Sequence, residues 1–106
     1  MSSWTILIIA GFLEVVWAIG LKYTEGFSKP IPSALTISAI IGSMYLLAKA
    51  TQSIPLGTAY GIWVGIGAIG SAVAGVVLFG EAVSVSRILC FVLLLAGVIG
   101  LKLTNT

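Results

Sequence analysis

The chain has 106 residues, 59% of them hydrophobic and only 8% charged, with a net charge of +2; soluble domains carry about 25% charged residues. So few charged side chains cannot clothe a water-soluble domain of this length, and with a mean hydropathy of +1.23 the composition defines an integral membrane protein. The five cations, Lys22, Lys29, Lys49, Arg87 and Lys102, never cluster along the sequence, which excludes a nucleic-acid binder and a polybasic lipid-binding segment.

Residue types narrow the chemistry further. There is one cysteine, Cys90, no histidine, and three acidic residues in all. No internal disulfide, metal cage or Ser/His/Asp or Cys/His nucleophile arrangement can be assembled from that set. The expectation is a protein without metal or cofactor that is not an enzyme.

In chain order, the first element is the apolar stretch 4–21, about 18 residues or roughly 27 Å of helix, the thickness of a thin bilayer core. Glu14 lies near its middle. An acidic group at that depth is about 2.5 to 3.5 kcal/mol uphill on insertion scales, so it needs a partner, a proton or a ligand. Its wheel neighbours are Leu7, Ala10, Gly11, Trp17, Ala18 and Leu21, small enough beside the carboxylate to leave room for a ligand or another helix. The alternative reading is a neutral Glu held by a hydrogen bond to a neighbouring helix. The stretch lacks a positive n-region and three similar segments follow, so it is expected to stay in the membrane.

Lys22 and Tyr23 suit an interface, and 25–32, with Gly26, Pro30 and Pro32, reads as a loop. Ser33 stands where an N-cap belongs, opening a second span over 33–49 that Lys49 closes by snorkelling. Its polar face carries Thr36 and Ser43, with Ala39 and Leu47. After a turn at 51–57, the third span, 58–79, contains Gly61, Gly65, Gly67, Gly70 and Gly75. Gly57, Gly61 and Gly65 follow the small-xxx-small spacing of close-packed helices in lipid. Gly65 and Gly67 also weaken the helix by up to about 1 kcal/mol each, which makes a bend there an expectation alongside packing. One face of this span holds Tyr60, Trp63, Gly67 and Ser71. The last loop, 80–86, offers Ser84 or Ser86 as N-cap, and the fourth span, 87–103, has Ala96, Gly97 and Gly100 as an expected dimer contact.

Four spans leave almost nothing outside the bilayer and no phosphate-cradling loop, so any transport is expected to run on an ion gradient. A carboxylate, Tyr60, Ser43 and the indoles of Trp17 and Trp63 are the groups a cation site in a dry environment requires, with cation-π attraction of about 1 to 2 kcal/mol. Trp and Tyr also serve as interface anchors, a reading that fits Trp4 and Tyr23 and stays open for Tyr60 and Trp63.

The runs 11–18 (GFLEVVWA), 22–23 (KY), 25–27 (EGF) and 55–67 (PLGTAYGIWVGIG) resemble the small multidrug resistance exporters over the whole chain. Gly11, Trp17, Ala18 and Lys102 are similar to the guanidinium-exporting branch. That resemblance implies an all-α integral membrane fold, one four-helix transmembrane domain over 1–106 working as an antiparallel dual-topology homodimer. It implies a multi-pass protein of the inner (plasma) membrane, with protons and a guanidinium-type cation competing for the paired Glu14 carboxylates. Ser43 and Trp63 would then support the Glu14 hydrogen bonding, Trp17 and Tyr60 would line the pocket, and Gly11, Ala18, Gly65 and Gly67 would form its wall and hinge. Gly61 and Val64 stand where Ala and Thr are usual in that branch, which bears on selectivity. Independently, one side would carry Lys49 and Lys102 and the other Lys22, Lys29 and Arg87, a balance from which the positive-inside rule selects no orientation. The rival readings are a broad exporter of quaternary ammonium or hydrophobic cations, for which Trp17 leaves little space, and a non-transporting assembly or regulatory protein, which has little need of an ionisable group at mid-membrane.

Overall fold

The computed structural model describes residues 2–104, and within them the chain forms four α-helices: α1 (Ser3–Tyr23), α2 (Pro30–Ala50), α3 (Leu56–Phe79) and α4 (Val85–Leu103). Each is long and apolar enough to cross a membrane, since in lipid a helix satisfies its own backbone donors and acceptors.

Local chemistry sets most of the ends. The Ser2 hydroxyl caps α1 by accepting from the Thr5 amide at 3.2 Å, and Ser84 caps α4 through Arg87 N at the same distance. Gly80 ends α3 in the left-handed region at φ 64°, where a Cβ is unfavourable. The α1–α2 loop turns through Glu25, Gly26 and Phe27, all at positive φ. Thr24 braces it: its hydroxyl donates to the Leu21 carbonyl at 2.8 Å and accepts from Phe27 N at 3.2 Å.

Several expected boundaries shift, α3 beginning at Leu56 and α4 at Val85, and the largest shift is at the start of α2. Ser33 is not the cap of α2; Lys29 holds that position, and Pro30 begins the helix. The first amides of a helix have no partner in any case, so proline loses nothing there and its fixed φ favours the first turn.

The helices run up and down. Ser3 Oγ donates to Ser53 Oγ at 2.7 Å and Lys102 Nζ lies 5.1 Å from the Trp4 ring, which gathers the start of α1, the α2–α3 turn and the end of α4 at one membrane face. At the other, Lys22 Nζ lies 3.9 Å from Glu81 Oε2 and the Tyr23 and Phe79 rings stand 5.6 Å apart. α1 packs on both α2 and α3, whereas the α4 backbone approaches that of α3 alone, touching α1 through Lys102 on Trp4, and α4 has no buried residue.

Small residues make these contacts. Leu7, Ala10, Ala59, Ile62 and Trp63 form the central core, with Ala50 and Ile54 at one end. A methyl at Gly11 would meet the Ile66 side chain at 2.7 Å, one at Gly20 would overlap Thr36, and one at Gly70 would overlap Val15. Along α3, Gly61 receives Leu101 and Gly65 receives Val98, so these two glycines form the seam for α4, while Gly57, the first of the expected spacing, has nothing within reach of a methyl. Close backbone approach supplies the packing contacts that hold helices together where lipid removes the hydrophobic drive.

Candidate cation site

Glu14 is on the inner face of α1 with Leu7, Ala10 and Gly11, and is only 8% exposed. It lies against α3 at Gly67, where a Cβ would fall on the carboxylate itself. Glycine at that position is therefore what admits the acid into the α1–α3 contact. Among the described residues, neither ion pair involves Glu14, and no side chain donates a hydrogen bond to it.

The neighbouring polar groups satisfy one another. Trp63 Nε1 donates to Ser43 Oγ at 2.9 Å, and Ser43 Oγ donates its single proton to the Ala10 carbonyl at 2.7 Å. Both bonds are buried and tie α3 to α2 to α1. The resemblance implies that these residues support the Glu14 hydrogen bonding; the chain they form ends on Ala10, four residues before the acid, the carbonyl that the Glu14 amide addresses in the α-helical pattern. Ser43 and Trp63 thus fix the backbone that carries the acid.

Trp17, one turn beyond Glu14, is half-buried, and its Nε1 is enclosed without a hydrogen-bond partner among the described residues. Tyr60 is 53% exposed, its ring 5.5 Å from that of Trp63 at 56°, so within one chain it faces away from the core. Ala18 and Ser71 line a cavity of about 330 Å³ that opens toward Lys22 and Glu81. Gly11 and Gly67 adjoin the acid, while Gly65 belongs to the α4 seam; α3 is helical without interruption through both Gly65 and Gly67. Ala96 and Gly97 are exposed, and nothing lies within reach of a methyl at Gly97 or Gly100, leaving that face of α4 open.

Sequence reasoning did not single out Glu81. Its carboxylate folds over Gly75 and meets Lys22, a pairing across α1 and the α3–α4 loop that no periodicity signals. Among the described residues no group of three His, Cys, Asp or Glu could hold a metal.

Four apolar helices, each long enough to cross a membrane, with a buried carboxylate that has no counter-ion among the described residues, define a small multi-pass membrane protein. The chain belongs to the Small Multidrug Resistance protein family, whose sequence profile matches residues 2–94. Relatives named guanidinium exporter share 57% identity over 103 residues in Yersinia pseudotuberculosis serotype I (97% of this chain, 99% of the relative) and in Escherichia coli K12 (97% and 98%). The Salmonella typhimurium LT2 relative of that name shares 58% over 102 residues, covering 96% and 97%.

Proposed function

We propose that the protein is a proton-coupled antiporter that exports guanidinium and small guanidinyl cations across the inner (plasma) membrane. The observation that carries this reading is the buried Glu14 carboxylate with no cation or side-chain donor paired to it among the described residues, within a family whose similar members are named guanidinium exporters. The four helices act as one domain, and two copies in opposite orientations place a Glu14 from each in a shared central site. The open α4 face at Ala96, Gly97 and Gly100 is the contact between copies.

The chemistry follows from the ligand's shape. A planar guanidinium offers two parallel N–H donors to the two oxygens of a carboxylate, the geometry of an Arg pair. The face of the Trp17 indole adds cation-π attraction, and the exposed Tyr60 ring of each copy is free to wall the shared site. Proton and guanidinium take the same carboxylates in turn, and the pair opens to one side at a time, so each passage of one drives the other. Of the two departures from that branch, Gly61 lies at the α4 seam against Leu101, and Val64 is 38% exposed.

The test is proton flux in proteoliposomes driven by gradients of guanidinium, methylguanidinium and tetrapropylammonium. The reading requires flux with the first two and little with the third. Equal flux with all three would instead make this a broad exporter.

A further inference from the structure

α3 and α4 meet closely only at one end, where Val98 and Leu101 enter the spaces left by Gly65 and Gly61. Toward the other membrane face α3 presents Val73, Val76 and Val77, side chains that leave no such space, and the two helices part. Between them lies a groove of about 350 Å³, lined by aliphatic and aromatic groups with one exception, Arg87, at the loop end of the groove. On the α1 side it adjoins the cavity of about 330 Å³ that holds Lys22 and Glu81; Ala72, Arg87 and Phe91 line both.

Three charges therefore border one crevice: Lys22 and Arg87 against Glu81. The Lys22–Glu81 contact is long at 3.9 Å, with both side chains partly in solvent, and Arg87 uses one Nη to reach the Ala82 carbonyl at 2.8 Å, which leaves its other donors free. Lys22 is in the last turn of α1 and Arg87 in the first turn of α4, beside the aromatic pair Tyr23 and Phe79, so the cations stand at the depth of lipid phosphates. A net positive crevice at headgroup level that continues into an apolar groove is complementary to one kind of membrane molecule.

We propose that this crevice binds an anionic phospholipid, its phosphate between Lys22 and Arg87 and one acyl chain along the α3–α4 groove. An excess of one positive charge matches a lipid of charge −1 better than a zwitterion. On α4 the groove residues Ile88, Phe91, Val92 and Leu95 point on average roughly 140° away from Ala96, Gly97 and Gly100 at 100° per residue, the two sets approaching each other where Val92 and Ala96 stand one turn apart. A second copy docked on the latter therefore leaves the groove open to lipid. The site is separate from Glu14 and does not depend on which cation is transported.

The full chain, purified in detergent and mixed with equal amounts of phosphatidylglycerol and phosphatidylethanolamine, is weighed intact by native mass spectrometry. Wild type should retain phosphatidylglycerol about fivefold over phosphatidylethanolamine, the effect of one surface cation. Arg87→Gln and Lys22→Gln should each bring the ratio to about one, Arg87→Lys should keep most of it, and Glu81→Gln should raise it. Val92→Trp, which fills the groove, should expel both lipids. Equal retention by wild type, an unchanged ratio in a monodisperse Arg87→Gln, or a lower ratio in Glu81→Gln overturns the proposal. So does release of the lipid by millimolar inorganic phosphate, or a Val92→Trp protein that keeps its lipid and loses its partner copy.

Discussion

At the scale of single residues, what distinguishes this chain is the pairing of Glu14 with Gly67. The acid occupies the volume that a β-carbon would take on α3, so Gly67→Ala should force the helices apart or turn the carboxylate away. Guanidinium affinity should fall at least about tenfold while helical content by circular dichroism stays unchanged; retained affinity would mean that Gly67 is a packing residue only. Ser43 gives a contrasting case. Ser43→Ala leaves the Trp63 indole N–H unpaired and releases Ala10, a loss of about 1 kcal/mol that should lower the unfolding temperature. Because the hydrogen-bond chain ends on Ala10 and not on the acid, binding should change less than about threefold. Trp17→Gly removes packing and cation-π contact of about 1 to 2 kcal/mol, or about five- to thirtyfold in guanidinium affinity, while admitting larger cations. Its readout is the ratio of guanidinium to tetrapropylammonium binding, and an unmoved ratio in a folded protein would assign Trp17 to packing.

At the scale of helices, hydrophobic runs disclosed the four elements, because length and apolarity alone decide whether a segment can span lipid. The wheel of α1 found Leu7, Ala10, Gly11 and Glu14, all buried, but also included Leu21, which is 39% exposed. A wheel gives direction around the axis and not which neighbour stands at each height. The start of α2 was misplaced for a related reason: proline reads as a breaker, yet in the first turn it breaks nothing. What sequence could not supply was pairing. The glycine spacing of α3 announced a close contact without naming its partner, and the structure assigns it to Val98 and Leu101 of α4. Gly65→Leu should accordingly detach α4 from α3. An engineered cysteine pair at Gly61 and Leu101 should cross-link readily in wild type and poorly in that variant; equal cross-linking would contradict the seam.

At the scale of the whole molecule, the up-down arrangement puts Lys49 and Lys102 at one end and Lys22, Lys29 and Arg87 at the other, with Glu25 and Glu81 offsetting the second group. Neither end wins by the positive-inside rule. Two lysines added in loop 51–55 should bias orientation by roughly 1 kcal/mol per charge, reduce activity if opposite orientations are required, and restore it when an oppositely biased copy is co-expressed. Full activity from the biased chain alone would exclude the antiparallel pair. The candidate site was legible as residue types, an acid among indoles and hydroxyls in apolar helices, but its wiring was not, since the Trp63–Ser43–Ala10 chain links three helices whose mutual rotation no single segment encodes. Whether protons and guanidinium take turns on Glu14 is decided by proton movement in guanidinium-loaded proteoliposomes containing wild type or Glu14→Gln. Wild type should take up protons as guanidinium leaves, with apparent guanidinium affinity weakening as pH falls and protons claim the carboxylates. Glu14→Gln should insert and pair normally yet move neither. Transport by Glu14→Gln above a few per cent of wild type would contradict the account.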